Sequence, residues 1–330
     1  MAVRAELIGV SAPIEEERVP GQTIYLFPGQ GVQKIGMGKT LYKNSEIARE
    51  ILDQLKLVKP ELLETMFNGP HGDQPINVLD DTANAQPAIV AVSIAAYFTL
   101  PEANPSFKEG RPFGYLGHST GQISAIGSAG VVGIKTALHM AAERGRLMKE
   151  VGERIDNKGG MLVLFEATLE KAELLCANTS EALREKGIWV ANYNADDQIV
   201  LSGREHHIVY AATQAKEAGI MKAKRLPVSI PAHSPLMKEA QDRFEQYLDR
   251  IKFERPTSPI FLNTTAKATS DPEEIKADLI SGLTRGVRFR ESLQEAQRMG
   301  VTSFVEIGKG PLSDFAQKVI PDSKRIQIAA

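Results

Sequence analysis

Residues 111–129 read RPFGYLGHSTGQISAIGSA, and the order of residue types in this stretch decides the architecture. Arg111 to Gly117 is a short run with the aromatic and aliphatic residues of a strand. Gly121 opens a long helical pattern that reaches about Val151 and is interrupted near Gly130-Val131-Val132-Gly133. Between the two lies Gly117-His118-Ser119-Thr120-Gly121, a match to G-x-S-x-G. Glycines two residues to either side of a serine permit a sharp, strained strand-to-helix turn that leaves the serine Oγ exposed at the edge of a sheet. The motif is short, and its strand–turn–helix setting is what reads Ser119 as a nucleophile rather than a plain turn residue.

Working outward, the same alternation recurs. Thr23-Ile24-Tyr25-Leu26-Phe27 is a β-branched and aromatic run stopped by Pro28-Gly29, and Ser45 then caps a helix whose Ile47, Ile51, Leu52 and Leu55 share one face. Near the end, Val301 to Ile307 reads as a strand between glycines, and Gly308-Lys309-Gly310-Pro311 opens a last helix with proline in its first turn. Repeated strand, glycine turn and helix is an α/β signature. The middle differs. Met161–Ala167 is a strand and Thr168 caps a helix ending near Gly187; Trp189–Ala195 and Gln198–Gly203 are paired strands around Asp196-Asp197; a helix runs from about Glu205 to Ala218, and Lys222–Ser229 is a strand. That order, βαββαβ, is the ferredoxin-like arrangement. The expected organisation is an extension at 1–22, an α/β large domain made of 23–154 and 226–330, and a small domain at 155–225 inserted into it.

Composition narrows the function. The 330 residues carry 39 Lys+Arg against 41 Asp+Glu, a formal charge of −2, with 42% hydrophobic residues. Without a basic stripe there is no footprint for nucleic acid. The single cysteine, Cys176, cannot close an internal disulfide or build a Cys-based zinc site, which fits a reducing cytoplasm. The most apolar stretch, Pro87 to Leu100, is shorter than the roughly 20 residues a bilayer demands and reads as a buried helix, so no membrane is expected. The first 22 residues hold Glu15-Glu16-Glu17-Arg18 and lack the apolar centre of a secretory signal.

A serine nucleophile needs a base, and the chain offers six histidines. His71 lies in a Gly/Pro-rich loop, His118 sits beside Ser119 and should point away, His139 is well along the next helix, and His206 and His207 read as solvated first-turn residues. His233 remains, in Ile230-Pro231-Ala232-His233-Ser234-Pro235, where a strand ends before a helix capped by Ser234; it is either the base or a hydrogen-bonded loop histidine. Phe27-Pro28-Gly29-Gln30-Gly31-Val32-Gln33 lacks dinucleotide spacing, and a closer fit is Gln30 offering its amide N–H to an oxyanion. Glu143-Arg144-Gly145-Arg146 closes the helical stretch and is either a helix-end basic pair or the source of a guanidinium that grips a carboxylate.

Taken together these segments resemble the malonyl-CoA:acyl carrier protein transacylase family from about Thr23 to Ile326. The resemblance rests on FPGQGVQ (27–33), QPA from Gln86, GHSTGQISA (117–125), ERGRLM (143–148), NYNADDQIVLSG (192–203), LPVSIPAHSPLM (226–237) and VEIGKGP (305–311). It implies an α/β-hydrolase-like large subdomain with an inserted ferredoxin-like one. It also implies Ser119 as the acylated nucleophile, His233 as its base and the N–H groups of Gln30 and Thr120 as the oxyanion hole. Arg144, 25 residues after Ser119, would hold the malonyl carboxylate, and Gln86, Asn192 and Asn194 would contact substrate. The implied activity is cytoplasmic malonyl transfer from a CoA thioester to the phosphopantetheine thiol of an acyl carrier protein, by a monomer needing no cofactor or metal. A trans-acting polyketide acyltransferase, a carrier-protein acyl hydrolase and a non-catalytic docking subunit are the alternatives. Three departures stand out: Gln122 where the family often has Glu, Ala232 before the histidine, and Gly282 where the family tends to have Gln. Arg285, Arg288 and Arg290 are candidates for a basic face toward an acidic carrier, or simply a solvated helix start.

Overall fold

The computed structural model describes residues 22–72, 74–75, 78–108, 110–154 and 159–328. Apart from Gln22, the expected N-terminal extension lies outside them.

The first strand, β1 (Thr23–Phe27), is buried at every position and runs parallel to β2 (Gly114–Gly117) on one side and β9 (Ser303–Ile307) on the other. Three helices, α1 (Lys39–Asn44), α2 (Glu46–Leu55) and α3 (Leu62–Asn68), and the long α4 (Thr82–Ala103) separate β1 from β2. The sheet is completed by β10 (Lys324–Ile328) beyond β9, and by β7 (Ile260–Phe261) and β8 (Ala268–Thr269) beyond β2, in the order β10-β9-β1-β2-β7-β8. Only the β7–β8 pair is antiparallel.

A parallel sheet must be covered on both faces, and successive side chains along β1 show how this one is. Tyr25 and Phe27, with Tyr115 of β2, join the large core that includes α2, α4, α5 (Gly121–Ser128) and α6 (Ile134–Arg154). Ile24 and Leu26, with Leu116, pack instead with α11 (Phe289–Arg298) and α12 (Leu312–Val319) through Phe289, Leu293 and Phe315.

The second sheet is antiparallel, ordered β4-β5-β3-β6, and consists of β3 (Gly159–Phe165), β4 (Ile188–Ala195), β5 (Gln198–Arg204) and β6 (Lys222–Arg225). Its alternate residues divide the same way. Leu162, Leu164, Ile199 and Leu201 pack under α7 (Leu169–Ala182) and α8 (Glu205–Gln214), whereas Met161, Val163 and Val200 turn toward the large core. Tyr193 and Val287 exchange backbone contacts that tie this sheet to the segment before α11: the Tyr193 N–H donates to Val287 O, and the Val287 N–H to Ala191 O.

Several expectations shift. Strand β10 carries no strong sequence signal and was not anticipated, and the strand expected to Ser229 ends at Arg225. The apolar stretch belongs to a 22-residue helix, longer than the run from Pro87 to Leu100, but that helix is buried among α2, α5 and α6, as a core helix is. On α2 the buried face is Ala48, Ile51, Leu52 and Leu55, and Ile47, expected on that face, is 38% exposed. Glu143 to Arg146 does not end a helix, because α6 runs on to Arg154. Ser234 does not cap with its side chain, which donates to Pro231 O. His207 is fully buried and hydrogen-bonded to the Glu185 carbonyl, because its helix packs on β3 and β5.

Candidate active site

The turn after β2 is as sharp as its glycines predict. A Cβ on Gly117 would run into the backbone of Gly121 and Gln122, and one on Gly121 would sit on the Phe27 carbonyl. Ser119 between them has φ 53°, a left-handed conformation that costs a non-glycine residue about 1–3 kcal/mol and persists because the surroundings over-determine it. His233 is held in the same region, at φ 60°. The two strained residues meet: Ser119 Oγ lies 2.7 Å from His233 Nε2. On the far side of the imidazole, Nδ1–H donates to the Gly282 carbonyl at 2.6 Å. That bond fixes the tautomer, leaving Nε2 with a lone pair to accept the serine proton. It also resolves the departure at position 282, since a backbone carbonyl does the orienting and no side chain is required there. Burial, and next the positive charge of Arg144, push the His233 pKa down to about 3, so the ring is neutral at pH 7.

Arg144 projects from the middle of α6 and is 4% exposed. Its Nη1 donates to Gln86 Oε1 at 2.7 Å and Thr120 Oγ1 at 3.0 Å, and its Nη2 reaches Ser119 Oγ at 3.4 Å. All three partners are neutral. Among the described residues no carboxylate pairs with it, and burial pushes its pKa down to about 10, which leaves it charged at neutral pH. Arg146, two residues on, is bonded to Glu143 and Glu150 at the surface. The helical spacing thus splits the two arginines between an interior and an exterior role.

The Gln30 loop is tied to the same network. Gln86 Nε2 donates to Thr82 Oγ1, and Thr82 Oγ1 donates to Gln30 Oε1 at 2.8 Å. The Gln33 side chain accepts from the Gly31 N–H and donates to Asp80, closing the turn. Among the described residues the backbone N–H groups of Gln30 and Thr120 enter no hydrogen bond, as donors reserved for a ligand oxygen would not.

All eight residues singled out in the sequence, Asn192 and Asn194 included, line one cavity of about 300 Å³ between the two sheets. His118 lines it too: its ring bonds Asn194 Oδ1 at 2.9 Å and not Ser119, and Asn194 in turn donates to Gln198. Arg288 and Arg290 are engaged by Glu291 and Asp196, so the expected basic face is thinned to Arg285.

A strained serine hydrogen-bonded to a neutral imidazole, beside unbonded amide N–H groups and a buried guanidinium, is an arrangement suited to acyl transfer. The comparisons agree. Residues 24–320 match the family model described as the acyl transferase domain.

The chain belongs to that family.

It is 34% identical over 310 residues to the malonyl CoA-acyl carrier protein transacylase of Bacillus subtilis strain 168, covering 92% of each chain. An acyl-carrier-protein S-malonyltransferase from Bartonella henselae superposes with a TM-score of 0.85 at 31% identity, covering 93% of this chain and 95% of that one. A third similar structure is a malonyl-transacylase in complex with a holo acyl carrier protein of a type II polyketide synthase, at 28% identity and TM-score 0.83, covering 93% and 95%.

Three polar residues of this acyltransferase were not singled out from the sequence. Asn263 accepts from the Ser119 N–H and donates to Gly117 O; Asp278 holds Asn263; and Glu306, fully buried, accepts from the Leu312 and Ser313 N–H groups at the start of α12. Asn263 stands in a polar loop and Asp278 among the acidic residues of α10 (Pro272–Ser281), where both read as surface. A carboxylate inside the buried strand run Val305-Glu306-Ile307 was the one available signal.

Proposed function

We propose that the chain transfers a malonyl group from malonyl-CoA to the phosphopantetheine thiol of an acyl carrier protein through an acyl-enzyme on Ser119. Names of the relatives support the substrates, and the carrier complex of the third structure supports the partner. The observation that carries the reading is Arg144: a buried cation 3.4 Å from the nucleophile with only neutral partners. An uncompensated buried charge is costly, so the cavity favours an acyl group that brings its own carboxylate.

The steps follow from the geometry. His233 Nε2 takes the Ser119 proton as Oγ attacks the thioester carbonyl. The N–H groups of Gln30 and Thr120 hold the developing oxyanion. The imidazolium protonates the departing CoA sulfur, and the carrier thiol then repeats the sequence in reverse. A malonyl carboxylate on Arg144 also cancels the charge that depresses the His233 pKa, which strengthens the base when the right substrate is present. Gln86 orients the guanidinium, Asn192 and Asn194 face the substrate arm, and the scheme uses no metal or redox group.

The strand orders support an α/β-hydrolase-like large subdomain of 23–154 and 226–330 with a ferredoxin-like subdomain of 155–225 inserted; that the protein works as a cytoplasmic monomer is part of the same proposal. Intact-mass measurement after mixing with a panel of acyl-CoAs tests the function. A malonyl adduct that persists until holo carrier is added, and is absent in Ser119→Ala, is expected. Rapid release of free acid without carrier indicates a hydrolase instead, and no adduct with any thioester a docking subunit.

A further inference from the structure

The helix α10 is linked to both halves of the catalytic pair without lining the cavity, to the histidine directly and to the serine through Asn263. Its C-cap residue Gly282 offers the carbonyl that orients His233. One turn earlier, the Asp278 side chain is 3% exposed and fully engaged. Oδ2 accepts from the Asn263 N–H at 2.7 Å and from Gln122 Nε2 at 2.6 Å; Oδ1 accepts from the Thr264 N–H at 2.8 Å and from Thr264 Oγ1. The carboxylate therefore fixes two consecutive residues of the loop after β7.

Asn263, 2% exposed, extends that hold to the nucleophile. Its Oδ1 accepts from the Ser119 N–H at 2.8 Å and its Nδ2 donates to Gly117 O at 2.7 Å. One carboxamide thus spans the elbow and bonds the strained residue on its own amide. Gln122, at the start of α5 just past the elbow, returns to the same Asp278 oxygen, so the turn is held from both sides. The departure from Glu at position 122 is consistent with this, because a second carboxylate there would meet Asp278 at hydrogen-bond distance.

We propose that Asn263 and Asp278 are positioning residues of the acyl transfer: through them α10 sets the Ser119 elbow in register with the histidine that its own C-terminus orients. The inference rests on the acyl-transfer reading above. Arg144 and Gln30 reach the cavity from other elements, so substrate binding is independent of the clamp while alignment of Oγ with Nε2 is not.

The test compares the parent, Asn263→Ala, Asp278→Asn and the double variant by rapid-quench intact mass with malonyl-CoA, recording the acylation rate and the fraction of molecules that acylate at completion. A displacement of about 1 Å costs on the order of 100-fold, so Asn263→Ala should acylate some 10- to 100-fold more slowly, with KM within about 2-fold of the parent. The final acylated fraction should be unchanged, which separates misalignment from misfolding. Because both residues act through one chain of bonds, the double variant should be no slower than Asn263→Ala alone. Thr264→Val, which removes one of the four bonds and keeps the volume, should slow acylation by a smaller factor and serves if a larger change prevents folding. Parental rates in Asn263→Ala, a loss confined to KM or to the acylated fraction, or slowdowns that multiply in the double variant would overturn the proposal. A parent that forms no malonyl adduct would instead remove the acyl-transfer reading on which it rests.

Discussion

At the level of single residues, the chemistry is set by two buried nitrogen groups that hold each other in check. His233 is kept neutral by burial and by the Arg144 charge, and Arg144 is kept waiting for an anion by having only amide and hydroxyl partners. The sign of the histidine shift has a direct consequence. A group whose folded pKa is lowered from 6.5 to about 3 stays in its basic form as the pH falls through the window where an ordinary histidine is protonated. Acylation at low malonyl-CoA, which reports the free enzyme, should therefore keep its rate from pH 7 down to about pH 5. Half-loss near pH 6.5 in a stopped-time mass assay would show that the imidazole titrates normally. That Ser119 stands on a sharp turn and shares a cavity with Arg144 was legible in the sequence, because such a turn obliges glycines at fixed offsets and because the family segments are short and ordered. The Arg144 environment was not legible, since a Glu-Arg-Gly-Arg run reads equally as a helix end until α6 is seen to continue for ten more residues.

At the level of elements, helix ends do much of the positioning. The carbonyl at the end of α10 orients the base, and the start of α12 is closed by Glu306, whose carboxylate is fully buried and also accepts from Gln327 Nε2. Burial pushes the Glu306 pKa up, against the helix N–H groups that pull it down. Removing that acceptor orphans two buried donors, each worth about 1–3 kcal/mol. Glu306→Ala should lower the free energy of unfolding in urea by at least that much, while the molecules that remain folded acylate at the parental rate. An unchanged urea midpoint would contradict the assigned role. The strands carrying these ends were readable wherever β-branched and aromatic residues ran between glycines, as in β1 and β9. Lys324-Arg325-Ile326-Gln327-Ile328 was not, because an edge strand with alternating exposed residues has no continuous apolar run, and its pairing with β9 is a long-range event.

At the level of the whole molecule, the cavity exists because two sheets of different kinds face one another. The parallel sheet supplies the elbow and the amide donors at the ends of its strands, and the antiparallel sheet lays Met161, Val163 and Val200 over them as an apolar roof. A low-dielectric enclosure of this kind strengthens the pairing of Arg144 with a carboxylate and makes its absence expensive, so selectivity for malonyl over acetyl is a property of the enclosure as much as of the arginine. The net charge of −2 says nothing of this, because the decisive charge is one buried cation among many paired surface ones. The most direct measurement is the ratio of malonyl to acetyl acylation rates on Ser119, read by intact mass in the parent and in Arg144→Ala. The account predicts that the parent strongly prefers malonyl and that the variant loses malonyl loading by on the order of 100-fold while acetyl loading changes little. Equal losses for the two acyl groups would contradict it.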